Sequence, residues 1–229
     1  MMLGLYGNYF LLLKEFINDS KQVKANLKTF LELKPNLAPG ILEKLEPVVN
    51  KLVEKGLTRH SIVQAILNDY IECQPDKEKL QQLAELLKEK LPALLASIEG
   101  LNVACALFTI LDAKDRKNAI KSLPVVEMLS NKNAHLFLIH IANTLDDTQL
   151  TKKKLLHESV KVIDDMIGDK FFQTVLISAL LPMPTGEANQ TVKNTSVTKE
   201  DIQSFNTLIK LSTSKKESTI RAQELFKVV

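Results

Sequence analysis

Thr58-Arg59-His60-Ser61-Ile62-Val63 runs from a polar turn straight into an apolar helix, and that step recurs along the chain. It returns at Glu99-Gly100-Leu101-Asn102-Val103, at Asn133-Ala134-His135-Leu136-Phe137 and at Lys170-Phe171-Phe172-Gln173-Thr174-Val175. An earlier copy is Tyr6-Gly7-Asn8-Tyr9-Phe10. With Gly7, Arg59, Gly100, Ala134 and Phe172 as landmarks, the spacings are 52, 41, 34 and 38 residues. Three of the four suit a three-helix unit of about 36 residues, and the first marks a longer unit. A unit this small cannot bury its apolar face alone, so it stacks on its neighbours. The expected fold class is all-α, an α-solenoid of three-helix repeats.

The segments between the landmarks agree with that reading. Ile41, Leu42, Leu45, Val48, Val49, Leu52 and Val53 recur at helix spacing, as do Ile62, Val63, Ile66, Leu67 and Ile71. Pro75-Asp76 opens a further helix carrying Leu80, Leu83, Leu86, Leu87 and Leu91. No run alternates with a period of two for long enough to form a strand. Pro182 to Asp201 holds two Pro, one Gly and a cluster of Thr, Asn, Gln and Ser, which reads as a surface loop. The expected organisation is helical repeats over 1–181, a loop over 182–201 and the start of a C-terminal repeat over 202–229.

Composition bounds the function classes. The 229 residues are 45% hydrophobic and 25% charged, typical of a globular chain, and 7 Gly with 8 Pro is too little turn chemistry for an all-β fold. The net charge of +3 does not by itself call for a polyanionic partner. The apolar runs are too short to span a bilayer, so a soluble intracellular protein with no membrane partner is expected. Cys73 and Cys105 form no metal pattern and suit a reducing compartment. His60, His135, His140 and His157 show no His-Glu-x-x-His spacing, and there is no glycine-rich phosphate loop or nucleophile elbow. Asp146-Asp147 and Asp164-Asp165 are adjacent pairs that helix capping explains as well as acid/base work. No catalytic residue, metal, cofactor or small-molecule substrate is expected.

Tyr6-Gly7-Asn8-Tyr9-Phe10 followed by Leu11-Leu12 resembles the core of a Pumilio (PUF) repeat. Further stretches are similar to the C-terminal half of the Puf-A/Penguin family of Pumilio-like proteins with a CPL domain. They are Glu54 to Val63, Ala113-Lys114-Asp115-Arg116-Lys117, His135-Leu136-Phe137-Leu138, Leu145-Asp146-Asp147-Thr148, and Ser214-Lys215-Lys216 with Arg221, Glu224 and Leu225. The chain departs from that family at Ala134 and Phe172, where glycine is usual. The resemblance implies that the sequence begins and ends inside a longer solenoid. The expected N-terminal helix would then expose Leu3, Leu5, Phe10 or Leu11, the face an upstream repeat covers.

The resemblance implies RNA binding by side chains of each second helix, one base per repeat. The implied reading sets are Asn8, Tyr9 and Leu12; His60, Ser61 and Gln64; Leu101, Asn102 and Cys105; His135, Leu136 and Ile139; Gln173, Thr174 and Ile177. Only the first two pair an edge reader with a stacking ring or an amide, so a base-by-base code is mostly gone. Tyr9 as a core residue and His60 as a helix cap stand beside this reading. Phosphate contact would then supply the affinity. Residues 114–161 hold nine basic against five acidic side chains. There Lys114, Lys117 and Lys121 stripe one helix face, and Lys154, His157 and Lys161 repeat the spacing. The candidate nucleic-acid residues are Asn8, Tyr9, Arg59, His60, Gln64, Lys114, Arg116, Lys117 and Lys121.

The resemblance implies a partner that is RNA above all, pre-ribosomal RNA or an mRNA, with DNA as a further polyanion. It also implies ribosome assembly factors as partners, and a nucleolar protein acting in ribosome biogenesis and translational repression. The alternative is a protein-binding HEAT/armadillo-like scaffold. A nucleic-acid binder should put its Lys and Arg on one continuous surface, whereas a scaffold should show an apolar or mixed groove.

Overall fold

The computed structural model describes residues 27–180 and 216–226, and the expected 182–201 loop and exposed N-terminal helix lie outside them. Among the described residues the chain is helical throughout, with no strand. The elements are α1 (Leu27–Leu33), α2 (Ala38–Glu54), α3 (Ser61–Cys73), α4 (Lys77–Leu87), α5 (Leu91–Leu94), α6 (Ile98–Ile110) and α7 (Ala113–Lys121). There follow α8 (Val125–Leu129), α9 (Ala134–Thr144), α10 (Thr148–Thr151), a π turn (Lys152–Leu156), α11 (His157–Lys161), α12 (Ile163–Met166), α13 (Lys170–Leu180) and α14 (Ser218–Phe226). Short 3₁₀ turns at Pro35–Leu37 and Leu57–Arg59 complete the order.

The expected repeat is present, with a different register. Each unit has a short first helix, a long apolar second helix and a third helix. The second helices α3, α6, α9 and α13 start at Ser61, Ile98, Ala134 and Lys170, hence 37, 36 and 36 residues apart. The landmark spacings of 41, 34 and 38 scatter because Arg59 precedes its helix while Gly100 and Phe172 lie inside theirs. Third helices start with equal regularity, on the capping residues Asp76, Asp112 and Asp147. The Asp76 carboxylate accepts from the Glu78 and Lys79 amides, Asp112 from Asp115, and Asp147 from Leu150. Such a cap satisfies donors that the first turn leaves over and is worth about 1 kcal/mol. Asp147 is thus a capping residue, one of the two roles open to it from sequence.

The second helices pack side by side in chain order, α3 on α6, α6 on α9 and α9 on α13. Their composition reflects this. α9 (AHLFLIHIANT) is apolar nearly all round, and every residue but Asn143 is buried. Phe108, Phe137 and Phe172, one from each of α6, α9 and α13, are wholly buried, and the first two meet edge to face at 5.8 Å. Burying each such side chain is worth about 1.5–3 kcal/mol. The third helices pack on the following unit, α2 on α3 and α4 on α6. Residues 216–226 fold back onto α13 and α10. The buried Arg221 guanidinium donates to the Asn143 carbonyl at the end of α9, to Asp146 and to the Lys216 carbonyl.

Two buried groups make the packing specific. Gln64 on α3 is wholly buried, and its Nε2 donates to the Thr58 carbonyl at 2.8 Å and to the Ala93 carbonyl at 3.2 Å. Its Oε1 accepts from Ser97 Oγ at 2.7 Å, and Ser97 Oγ in turn accepts from the Gly100 amide. Gly100 has no Cβ because there is no room for one: the atom would be driven into the Leu94 carbonyl oxygen and the Gln64 amide. The second group is His140, sealed beside Phe108 and Phe137. Its Nε2 lies 3.3 Å from Thr109 Oγ1, which donates to the Cys105 carbonyl, while Nδ1 is buried with no partner among the described residues. Burial holds the imidazole down to about 4, against the weaker opposing effect of the Cys105 carbonyl.

Gly100→Ala should lower stability by at least about 1–3 kcal/mol, the usual cost of an overpacked core, seen as a shifted urea midpoint. Retained stability would show that α3 and α6 can separate. His140 predicts an acid effect. The unfolded chain takes up a proton near pH 6.5 and the folded chain only near 4, so stability present above pH 6.5 drains away as the pH falls towards 4. The loss from this group is on the order of 3 kcal/mol. His140→Leu should flatten urea midpoints across that window, and an unchanged slope would mean that the folded state accommodates the charge.

Candidate nucleic-acid interface

The positions implied as base readers fall on the row of second helices, and the packing closes most of them. Leu101 and Cys105 on α6 are buried, as are His135, Leu136 and Ile139 on α9 and Thr174 on α13. His135 lies against Phe171 at 4.6 Å with its Nδ1 at 2.9 Å from the Asn131 carbonyl. Gln64 is a correction to the site list. Its amide is spent holding two units together, so it presents nothing to a base. His60 is the residue before α3, exposed, and its side chain makes no capping hydrogen bond. Asn8 and Tyr9 lie outside the described residues.

Charge separates the rows further. α3, α6 and α9 contain no Lys or Arg at all, and their ionisable acids are Asp69, Glu72 and Glu99. A phosphate backbone finds no cation there. The cations of the middle of the chain sit instead on the third helices, and some of them have structural work. Glu46 on α2 pairs with Lys79 on α4, Lys88 after α4 pairs with Asp115 on α7 at 3.0 Å, and Lys117 on α7 pairs with Asp147 before α10 at 2.8 Å. One ion pair thus bridges each junction of the third-helix row. The hydrogen bond from Lys117, with that from the Leu150 amide, holds the Asp147 carboxyl below its usual range.

The candidate stripe on α7 therefore divides. Lys117 belongs to a junction, and Arg116 Nε donates to the Leu111 carbonyl at 2.8 Å, closing the C-terminal end of α6. Lys114 and Lys121 are exposed and form no ion pair among the described residues. Arg59 is elsewhere. It edges a mixed groove of about 390 Å³ that runs along three successive first-helix elements, with Pro92, Ala93, Leu95, Pro124 and Met128 in its wall and Glu127 on the far element. Sequence reasoning did not find this groove, because its lining comes from turns whose spacing carries no hydropathy signal.

No family model matches the chain. Individual proteins do. Pumilio homolog 3 of Danio rerio is 27% identical over 181 residues, which is 78% of this chain and 28% of that protein. Pumilio homology domain family member 6 of Saccharomyces cerevisiae is 30% identical over 187 residues, 81% of this chain and 27% of that one. Protein penguin of Drosophila melanogaster is 28% identical over 152 residues, 62% of this chain and 21% of that one. The chain thus spans less than a third of the length of the curated relatives it matches. Human Puf-A, crystallised in complex with DNA, superposes with a TM-score of 0.75 at 23% identity over 96% of this chain and 41% of that one, which establishes the helical solenoid fold.

Proposed function

We propose that this chain, a relative of the Puf-A and penguin group of Pumilio-like proteins, is a nucleic-acid-binding α-solenoid that grips the phosphate backbone and reads little sequence. RNA is the favoured ligand and DNA a second polyanion. The observation that carries the reading is the partition of the rows. Among the described residues, base-reading positions are mostly sealed in the core, and the densest run of exposed cations lies on the third helices. Hydrogen bonds to base edges specify sequence, whereas contacts to phosphates only position. A surface holding the second kind without the first binds by charge. The relatives' Pumilio names and the DNA complex of human Puf-A support the ligand class. Ribosome biogenesis, translational repression, assembly-factor partners and a nucleolar address belong to this proposal through the resemblance alone.

The first-helix groove favours a second reading, a scaffold that takes a peptide between Arg59 and Glu127. One titration separates the two. Binding of several scrambled single-stranded RNAs of fixed length should differ little among them. It should fall steeply with salt, with a log–log slope of about −0.7 per phosphate neutralised. Lys114→Ala with Lys121→Ala should weaken binding and leave the melting temperature within about 2 °C, since exposed substitutions usually change stability little. Lys117→Ala should lower stability as well, because it strips a junction of its cation. A preference above about a hundredfold for one sequence, on the order of 2.7 kcal/mol, would restore a base code. No RNA binding at low salt would favour the scaffold.

A further inference from the structure

We infer that the π turn Lys152–Leu156 is a phosphate-contacting site for the nucleic-acid backbone, continuous with the exposed cations of α7. The inference rests on the proposed function and adds to it a location and a set of residues. The turn interrupts the third helix of its unit, between α10 and α11, and carries three consecutive lysines, Lys152, Lys153 and Lys154. Its other two residues, Leu155 and Leu156, are buried at 3% exposure each, and Thr151 before it is buried too. These anchors fix the turn to the core, while Lys153 is exposed and Lys152 and Lys154 are half-buried beside it. π turns inside α-helices occur frequently at functional sites, since the wide turn re-aims side chains that an α-helix would space evenly.

The two acids at the helices flanking the turn each pair with another lysine, although Glu158 also feels Lys154. Asp147 is held by Lys117, and Glu158 by Lys161 at 2.8 Å. Lys152 and Lys153 form no ion pair among the described residues. The Lys117–Asp147 pair ties α7 directly to the start of α10, so the turn and the Lys114/Lys121 face belong to neighbouring members of one row. No apolar side chain of the turn is exposed, which leaves it suited to an anionic ligand rather than to an apolar protein face. Two adjacent cationic elements on successive units fit a backbone whose phosphates repeat along a strand.

The test uses the whole chain and a labelled mixed-sequence single-stranded RNA at two salt concentrations. Three charge reversals of equal size are compared: Lys152→Glu with Lys153→Glu, Lys114→Glu with Lys121→Glu, and, off the third-helix row, Lys55→Glu with Lys132→Glu in the exposed turns after α2 and before α9. The first two pairs should each lose about tenfold or more in affinity at low salt and shorten the salt slope by about 0.7 for each phosphate contact removed. The Lys55/Lys132 pair should lose much less. Lys152→Gln with Lys153→Gln repeats the measurement without reversing charge, and far-ultraviolet circular dichroism checks that each variant is folded. Unchanged binding in the π-turn variants beside weakened α7 variants would overturn this inference and leave the proposed function standing. So would losses equal to those of the Lys55/Lys132 pair. Absence of binding by the unaltered chain would overturn both.

Discussion

Everything in this fold depends on how closely α3 and α6 approach. Gly100 admits the Leu94 carbonyl and the Gln64 amide into the space a side chain would fill, and Gln64 then satisfies backbone groups from two successive units at once. A buried amide with its donors and acceptor all engaged is stabilising mainly by comparison with the alternative, because each orphaned partner would cost about 1–3 kcal/mol. The contact also fixes register. A shift of α6 along α3 would leave the amide facing hydrocarbon. The consequence for function follows: the second helices are occupied with holding one another, so the proposed nucleic-acid contact falls to the third helices.

That displacement explains which parts were legible in the sequence. Helix spacing of Leu, Ile and Val made the all-α class and the stacked repeat plain, because burial of one face leaves a periodic trace whatever the partner. The register was not. Arg59, Gly100 and Phe172 look alike as turn-to-helix steps, yet they sit at different depths, since apolar residues begin before or after the first helical residue according to what packs there. A firmer ruler was present in the capping aspartates Asp76, Asp112 and Asp147, which are tied to backbone amides rather than to packing. The site was legible in kind only. Charge counting found the α7 lysines, but no pattern distinguishes Lys117, which answers Asp147, from Lys114, which answers nothing in the described chain. Gln64 looked like a reader for the same reason, as an amide is equally suited to a base edge and to a carbonyl.

Surface and structural electrostatics are therefore drawn from one pool of side chains. An exposed ion pair is worth about 0–1 kcal/mol and is screened by salt, so the junction pairs are individually modest. Salt that weakens a phosphate contact also loosens these junctions. Arg221 is the exception, sunk in the packing of α14 against the α9–α10 corner, where burial pulls its pKa down and Asp146 opposes that pull. Such a group sustains its contact across ionic strength, whereas the row beside it responds.

The ion pairs also carry a consequence for how repeats of this kind can be rearranged. Lys79 and Asp115 occupy the same place in their units, three residues beyond the capping aspartate, yet they have opposite sign. If the unit containing α7 were grafted into the place of the one containing α4, Asp115 would meet Glu46 in place of a lysine. Like charges at that seam discourage the wrong neighbour, and each mortise accepts its own tenon. A solenoid built from near-equal modules thus has a fixed order written into its seams, and duplication or exchange of a module carries an electrostatic cost even where the apolar faces match.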